Sequence, residues 1–139
     1  ANNDFGSTVT VTGNDVTITD ANALALGSVT ASGDLTVAGG ADLSVSGTTT
    51  VGGNADLTAT GAITQSSGSI DITGTTALQA GTTINLEQSA NDFGGNVSIT
   101  GATDVALVDA DGLSLGTVTA SGDLEATATT GAQPPRPWK

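Results

Sequence analysis

Apolar residues along this chain come in alternating pairs: Val9/Val11, Val16/Ile18, Leu35/Val37, Leu43/Val45, Leu57/Ala59, Ile70/Ile72 and Ile84/Leu86. A two-residue period is that of a β-strand with one buried face. The pairs recur about every seven residues and are separated by Gly, Asn or Asp, so three short strands take roughly 21 residues. Helices have little room, because the longest Gly-free stretch ahead of the C-terminal segment is Asn14 to Leu26.

The chain also repeats itself. NDFGSTVTVTG at Asn3 to Gly13 returns as NDFGGNVSITG at Asn91 to Gly101, 88 residues on. TDANALALG at Thr19 to Gly27 returns as VDADGLSLG at Val108 to Gly116, and VTASGDL at Val29 to Leu35 returns at Val118 to Leu124, both 89 residues on. Short strands in units of about 21 residues, nested in a longer repeat, predict a β-solenoid.

The solenoid is expected to be an all-β, right-handed parallel β-helix of about six coils, the hand following from the preference of parallel crossovers. One apolar column is predicted to read Phe5, Val29, Val51, Ile72, Phe93, Val118. A second reads Val11, Leu35, Leu57, Leu78, Ile99, Leu124, and a third Val16, Leu43, Ile63, Ile84, Val105. The first two give coils of 24, 22, 21, 21 and 25 residues, the longer ones holding LALG and LSLG as an extra strand or bulge at a corner. A β-sandwich of hairpins is the alternative, but it would make this column register an accident.

Composition explains how such a coil closes and narrows what it can do. Gly, Ala, Thr and Ser fill 77 of 139 positions, small residues that suit tight corners and a narrow interior. There is no Cys, His, Met or Tyr, so serine triads, thiol chemistry, ordinary zinc sites and imidazole acid–base work are excluded. Fourteen carboxylates face only two basic residues, Arg136 and Lys139. A chain so charged is a poor partner for nucleic acid or an anionic membrane, and no apolar run is long enough to span a bilayer. No signal-peptide pattern follows Ala1.

ANNDFG and ANDFGG, TDANALALG, VTASGDL and ATGAITQSSGS resemble repeats in the passenger regions of filamentous-haemagglutinin-like exoproteins of Gram-negative bacteria. The likeness covers most of residues 1 to 132. It implies a large secreted or surface-held adhesin, exported by two-partner secretion, whose central shaft is a right-handed parallel β-helix. The NPNL and NPNGI sequences of the family's secretion domain are absent, so the chain is expected to be an internal shaft fragment, its parent meeting a host or surface receptor through other parts. The expected division is a solenoid over 1–133 and a Pro-rich tail over 134–139, where QPPRPWK breaks the composition and proline removes the N–H that stacking requires. That tail reads as a linker or as a cap closing the last layer with Trp138.

Three features invite a more active reading. Asp109 and Asp111, in Asp-Ala-Asp-Gly, place two carboxylates beside a turn and form a weak calcium candidate; a plain turn with solvated charges is the competing account. Thr-x-Thr runs such as Thr8-x-Thr10-x-Thr12, Thr58-x-Thr60 and Thr127-x-Thr129 resemble the rows with which some solenoids order ice, yet the expected neighbours of Thr58 and Thr60 include Ala38, Gln79 and Gly81, so no unbroken ladder forms. Hydrolysis of a polysaccharide needs two carboxylates held across a sugar, whereas Asp34, Asp42, Asp56 and Asp71 are scattered singly among turns. The expectation is therefore a non-catalytic structural shaft with no cofactor. A calcium-dependent or ice-ordering binding module is the alternative, and weak head-to-tail self-association is expected at the strand edges of a cut solenoid.

Overall fold

The computed structural model describes residues 3–128. They form sixteen strands with no helix, every strand pair parallel, wound as a solenoid with three faces. Face one stacks β2 (Val16–Asp20), β4 (Leu35–Gly39), β7 (Ala55–Ala59), β10 (Thr76–Ala80), β13 (Asn96–Gly101) and β15 (Ser114–Val118). Face two stacks the first half of β3 (Leu24–Ala31) with β5 (Leu43–Val45), β8 (Ile63–Gln65), β11 (Ile84–Leu86), β14 (Val105–Asp109) and β16 (Leu124–Ala128). Face three stacks β1 (Val9–Gly13), the second half of β3, β6 (Thr49–Val51), β9 (Ile70–Ile72) and β12 (Asp92–Phe93). At the spacing of hydrogen-bonded strands, six rungs make a rod about 30 Å long.

The alternating pattern does what a half-buried strand requires. Leu35 and Val37 of β4 point inward and Thr36 outward, and the same parity holds in β7 and β14. The inward residues stack into columns: Ile18, Val37, Leu57, Leu78, Ile99, Val118 on face one and Leu24, Leu43, Ile63, Ile84, Val105, Leu124 on face two. Face three carries Gly13, Ala31, Val51, Ile72, Phe93. These columns make one continuous apolar interior. The exposed large apolar side chains among the described residues, Phe5, Leu115 and Leu124, all lie in the first or last coil, where no further rung covers them.

Part of the expected register is corrected. Val51 stands over Ala31, not Val29, and Leu57 over Val37, not Leu35. At the ends, Val11 pairs Val29 and Val16 pairs Leu35, while Val118 rests on Ile99 and Leu124 on Val105. Coils from Ile18 to Val118 therefore run 19, 20, 21, 21 and 19 residues, in place of 21 to 25. Neither LALG nor LSLG adds a strand. Leu24 to Leu26 is the ordinary face-two strand of its coil and runs straight on into face three as the eight-residue β3, so that coil loses a corner instead of gaining one, and Ser114 to Gly116 belongs to β15, the ordinary face-one strand of the last coil.

The long repeat is out of step with the coil. Val9–Gly13 lies on face three and its copy within Asn96–Gly101 on face one; Val16–Asp20 lies on face one and its copy Val105–Asp109 on face two. Leu35–Gly39 moves to Leu124–Ala128 by the same step. The repeat thus spans four turns plus one face. The proposed tail over 134–139 lies outside the described residues.

Candidate functional site

The side chains most occupied with chemistry sit at the corners. Where face three turns into face one, the Asp15 carboxylate accepts the N–H of Asp34 at 3.0 Å, Asp34 accepts that of Asn54 at 2.9 Å, and the Asn54 side-chain oxygen accepts that of Thr75 at 2.9 Å. Where face one turns into face two, Asp42 takes the N–H of Ala62 and Asp104 that of Asp123, each at 2.9 Å. Every one of these bonds links a corner to the same corner one coil on. A glycine stands beside each donating N–H, at Gly33, Gly53, Gly74, Gly61 and Gly122, and a Cβ there would collide with the accepting oxygen. Close approach, not turn geometry, is what requires glycine at these five places. Among the described residues Gly68 alone has a left-handed φ, +77°.

A deeper version occurs once in each copy of the long repeat. Asp20 is buried and accepts the N–H of Phe5 at 2.9 Å and of Asn22 at 2.8 Å. Asp109 is buried and accepts the N–H of Phe93 at 3.1 Å and of Asp111 at 2.8 Å. The bond to the residue two positions on is the local turn that Asp commonly makes, and the other bond ties it to the neighbouring coil. Of the calcium candidates, then, Asp109 points inward with both oxygens taken, and Asp111 is exposed. Asp109 is closed off from solvent, with one backbone donor on each oxygen. Among the described residues no three acidic side chains converge closely enough to hold a metal ion.

Charge gathers at one place on face three. Asp92 sits beside Asp71 of the preceding rung, and the pKa of its carboxyl is raised, first by burial and then by the charges of Asp109, Asp111 and Asp71. The outward ladder there reads Thr12, Thr30, Thr50, Asp71, Asp92, so the threonine row is three rungs long and ends in carboxylates. An open hollow of about 350 Å³ lies at the first coil, lined by Asp4 to Thr8 with Asn22, Ala23 and Ala25; its only charged group is Asp4.

Among the buried polar residues, two bind one another inside the interior. Gln65 and Asn91 exchange a reciprocal pair of amide hydrogen bonds, both 2.8 Å. The sequence reading passed over them and over the corner bonds. Their signals were present: Gln65 stands at the inward place of Ile63-Thr64-Gln65, and Gly-Asx recurs at Gly33-Asp34, Gly53-Asn54 and Gly122-Asp123.

Three-faced coils bound corner to corner by side-chain oxygens define a β-solenoid repeat protein. The chain belongs to the family described as Repeats of unknown function (DUF5649), whose model matches residues 13–60, 40–100 and 102–132. The matches that open at 13 and 102 are one long repeat apart, and the first two overlap by about one coil. No curated protein and no solved structure matches the chain.

Proposed function

We propose that this chain is a non-catalytic shaft segment of a secreted or surface-held bacterial adhesin or extracellular fibre, of the filamentous-haemagglutinin-like kind, and that its work is to hold other parts of its parent chain at a distance. The supporting observation is the use made of its carboxylates. The oxygens that could grip a cation or a sugar accept backbone N–H groups from a neighbouring coil, the next one at Asp15, Asp34, Asp42 and Asp104 and the preceding one at Asp20 and Asp109. An interior filled by apolar columns leaves no cleft between the faces. Apolar end coils, with Phe5 at one end and Leu115 and Leu124 at the other, suit stacking onto further coils of the same kind.

A spacer should tolerate changes of length better than changes of packing. Deleting residues 35–54 joins Asp34 to Ala55, which occupies the place of Leu35 one coil on. The rod should stay folded and shorten by about 4.8 Å, read by small-angle scattering, and the reach of the parent chain should fall in proportion. A deletion protein that folds yet loses binding altogether would mean that the surface of the rod is itself the active part. Calcium titration of the melting temperature supplies the second arm, since a specific site stabilises in proportion to binding; a saturable rise lost in Asp111→Asn would replace the shaft by a calcium-dependent module.

A further inference from the structure

We propose that Gln65 and Asn91 form a register lock, a buried amide pair that selects which residues of adjacent coils lie opposite one another. A low-complexity solenoid has a specific ambiguity: slipping one strand along its neighbour by two residues keeps every apolar side chain inward. Apolar columns alone therefore discriminate poorly between registers two residues apart. Directional polar bonds do better.

Most joints of this rod are held by the Asp or Asn bonds at their corners. The joint between the coil entered at Ala62 and the coil entered at Thr83 has none, because Ala62 and Thr75 stand where an Asp or Asn would be needed. That is the joint the amide pair crosses. Gln65 occupies the place of Val45 in the coil before, and Asn91 stands over Ile70. Asn91 is fully buried, and all its hydrogen-bonding capacity is used: its oxygen accepts from Gln65 at 2.8 Å and from the Ile70 N–H at 2.9 Å, and its NH₂ donates to Gln65 at 2.8 Å and to the Leu86 carbonyl at 3.2 Å. A two-residue slip would carry Asn91 about 6.6 Å along the strand, out of reach of Gln65 and of the Ile70 N–H on the neighbouring coil, and would leave the Gln65 amide buried and unpaired. An apolar pair would fill the same space without that penalty for slipping, so the role assigned is specificity and not stability.

The test exploits the absence of cysteine. Thr64 and Asn85 lie directly opposite, on the outer surface of adjacent strands, so T64C/N85C reports the native register and T64C/E87C a slip of two residues. Adjacent parallel strands suit disulfide geometry. In an otherwise unaltered chain the native pair should close in a redox buffer and the slipped pair should not. In the Q65L/N91I background, which also strips the Ile70 N–H and the Leu86 carbonyl of their partner, the protein should fold but melt below the parent temperature, while closure of the slipped pair relative to the native one rises by about tenfold. N91I alone should melt lower than Q65L/N91I, since it strands the Gln65 amide, whereas Q65L alone should cost less, because Asn91 keeps the Ile70 N–H and the Leu86 carbonyl. Closure confined to the native pair in Q65L/N91I overturns the lock. So does a Q65L/N91I protein that fails to fold, because the pair would then supply stability that apolar residues cannot replace.

Discussion

Phe5 and Phe93 stand at the same place in two copies of one phrase, and both N–H groups are held by a buried aspartate at the end of the second strand that follows. Yet Phe5 is 40% exposed and Phe93 1%. Phe93 lies on Ile72 of the preceding rung, whereas no rung of the described residues precedes Phe5, which borders the open hollow of the first coil. The phrase therefore determines the local bracket, and the neighbouring coil determines burial. The two copies even lie on different faces, so the bracket does not depend on which face carries it.

Truncation should separate these contributions most sharply. Phe93→Ala removes a buried aromatic and should cost about 3–5 kcal/mol, against under about 1 kcal/mol for the half-exposed Phe5→Ala. Equal losses in urea unfolding would mean that the first coil packs as tightly as the fifth. The brackets come next. Asp109→Ala strands two backbone donors in a buried site and should cost about 3 kcal/mol, while Asp20→Ala, whose N–H partners lie closer to water, should cost roughly half as much; if Asp20→Ala proves the costlier, burial is not what sets the bracket's strength.

A gain should be available between the two ends. The buried hydroxyls of Thr49 and Thr76 have no hydrogen-bond partner, and Thr76 stacks between Ala55 and Val97. Thr76→Val should raise stability by about 1 kcal/mol, visible as a higher urea midpoint at unchanged slope. The smallest effect concerns charge near the second bracket. Because the pKa of Asp92 is raised, its contribution favours the folded state fully at pH values below the ordinary carboxylate range and is lost as the pH rises through its own pKa. Asp92→Asn should stabilise the rod at neutral pH by a few tenths of a kcal/mol up to about 1, with the gain fading at acid pH and in salt. A gain that persists at low pH would assign the effect to packing.

The parts of the fold that the sequence made legible share a simple basis. Leu57, Leu78 and Ile99, and Leu43, Ile63, Ile84 and Val105, fall where their spacing places them because their coils keep one strand per face and a near-constant length. Val29 and Leu35 were assigned two residues away from the true partners of Val51 and Leu57 for the reason that makes a register lock useful: inward parity survives a two-residue shift, and β3, passing from face to face without a corner, removes the punctuation that would have revealed it. The corner bonds were less visible still. Asp34 and Gly53 are unremarkable in isolation, and their relation exists only once it is known that one coil sets Gly53 above the Asp34 carboxylate.

The mismatch of repeat and coil gives the rod the character of a screw. A phrase that returns every four and a third turns comes back to its starting side only after thirteen turns, about 60 Å along the axis, having visited the other two sides on the way. A rod lengthened at this spacing would therefore have no front and no back: whatever its repeated phrase presents is shown in three directions in rotation, and a partner approaching from any side meets a copy within one such advance.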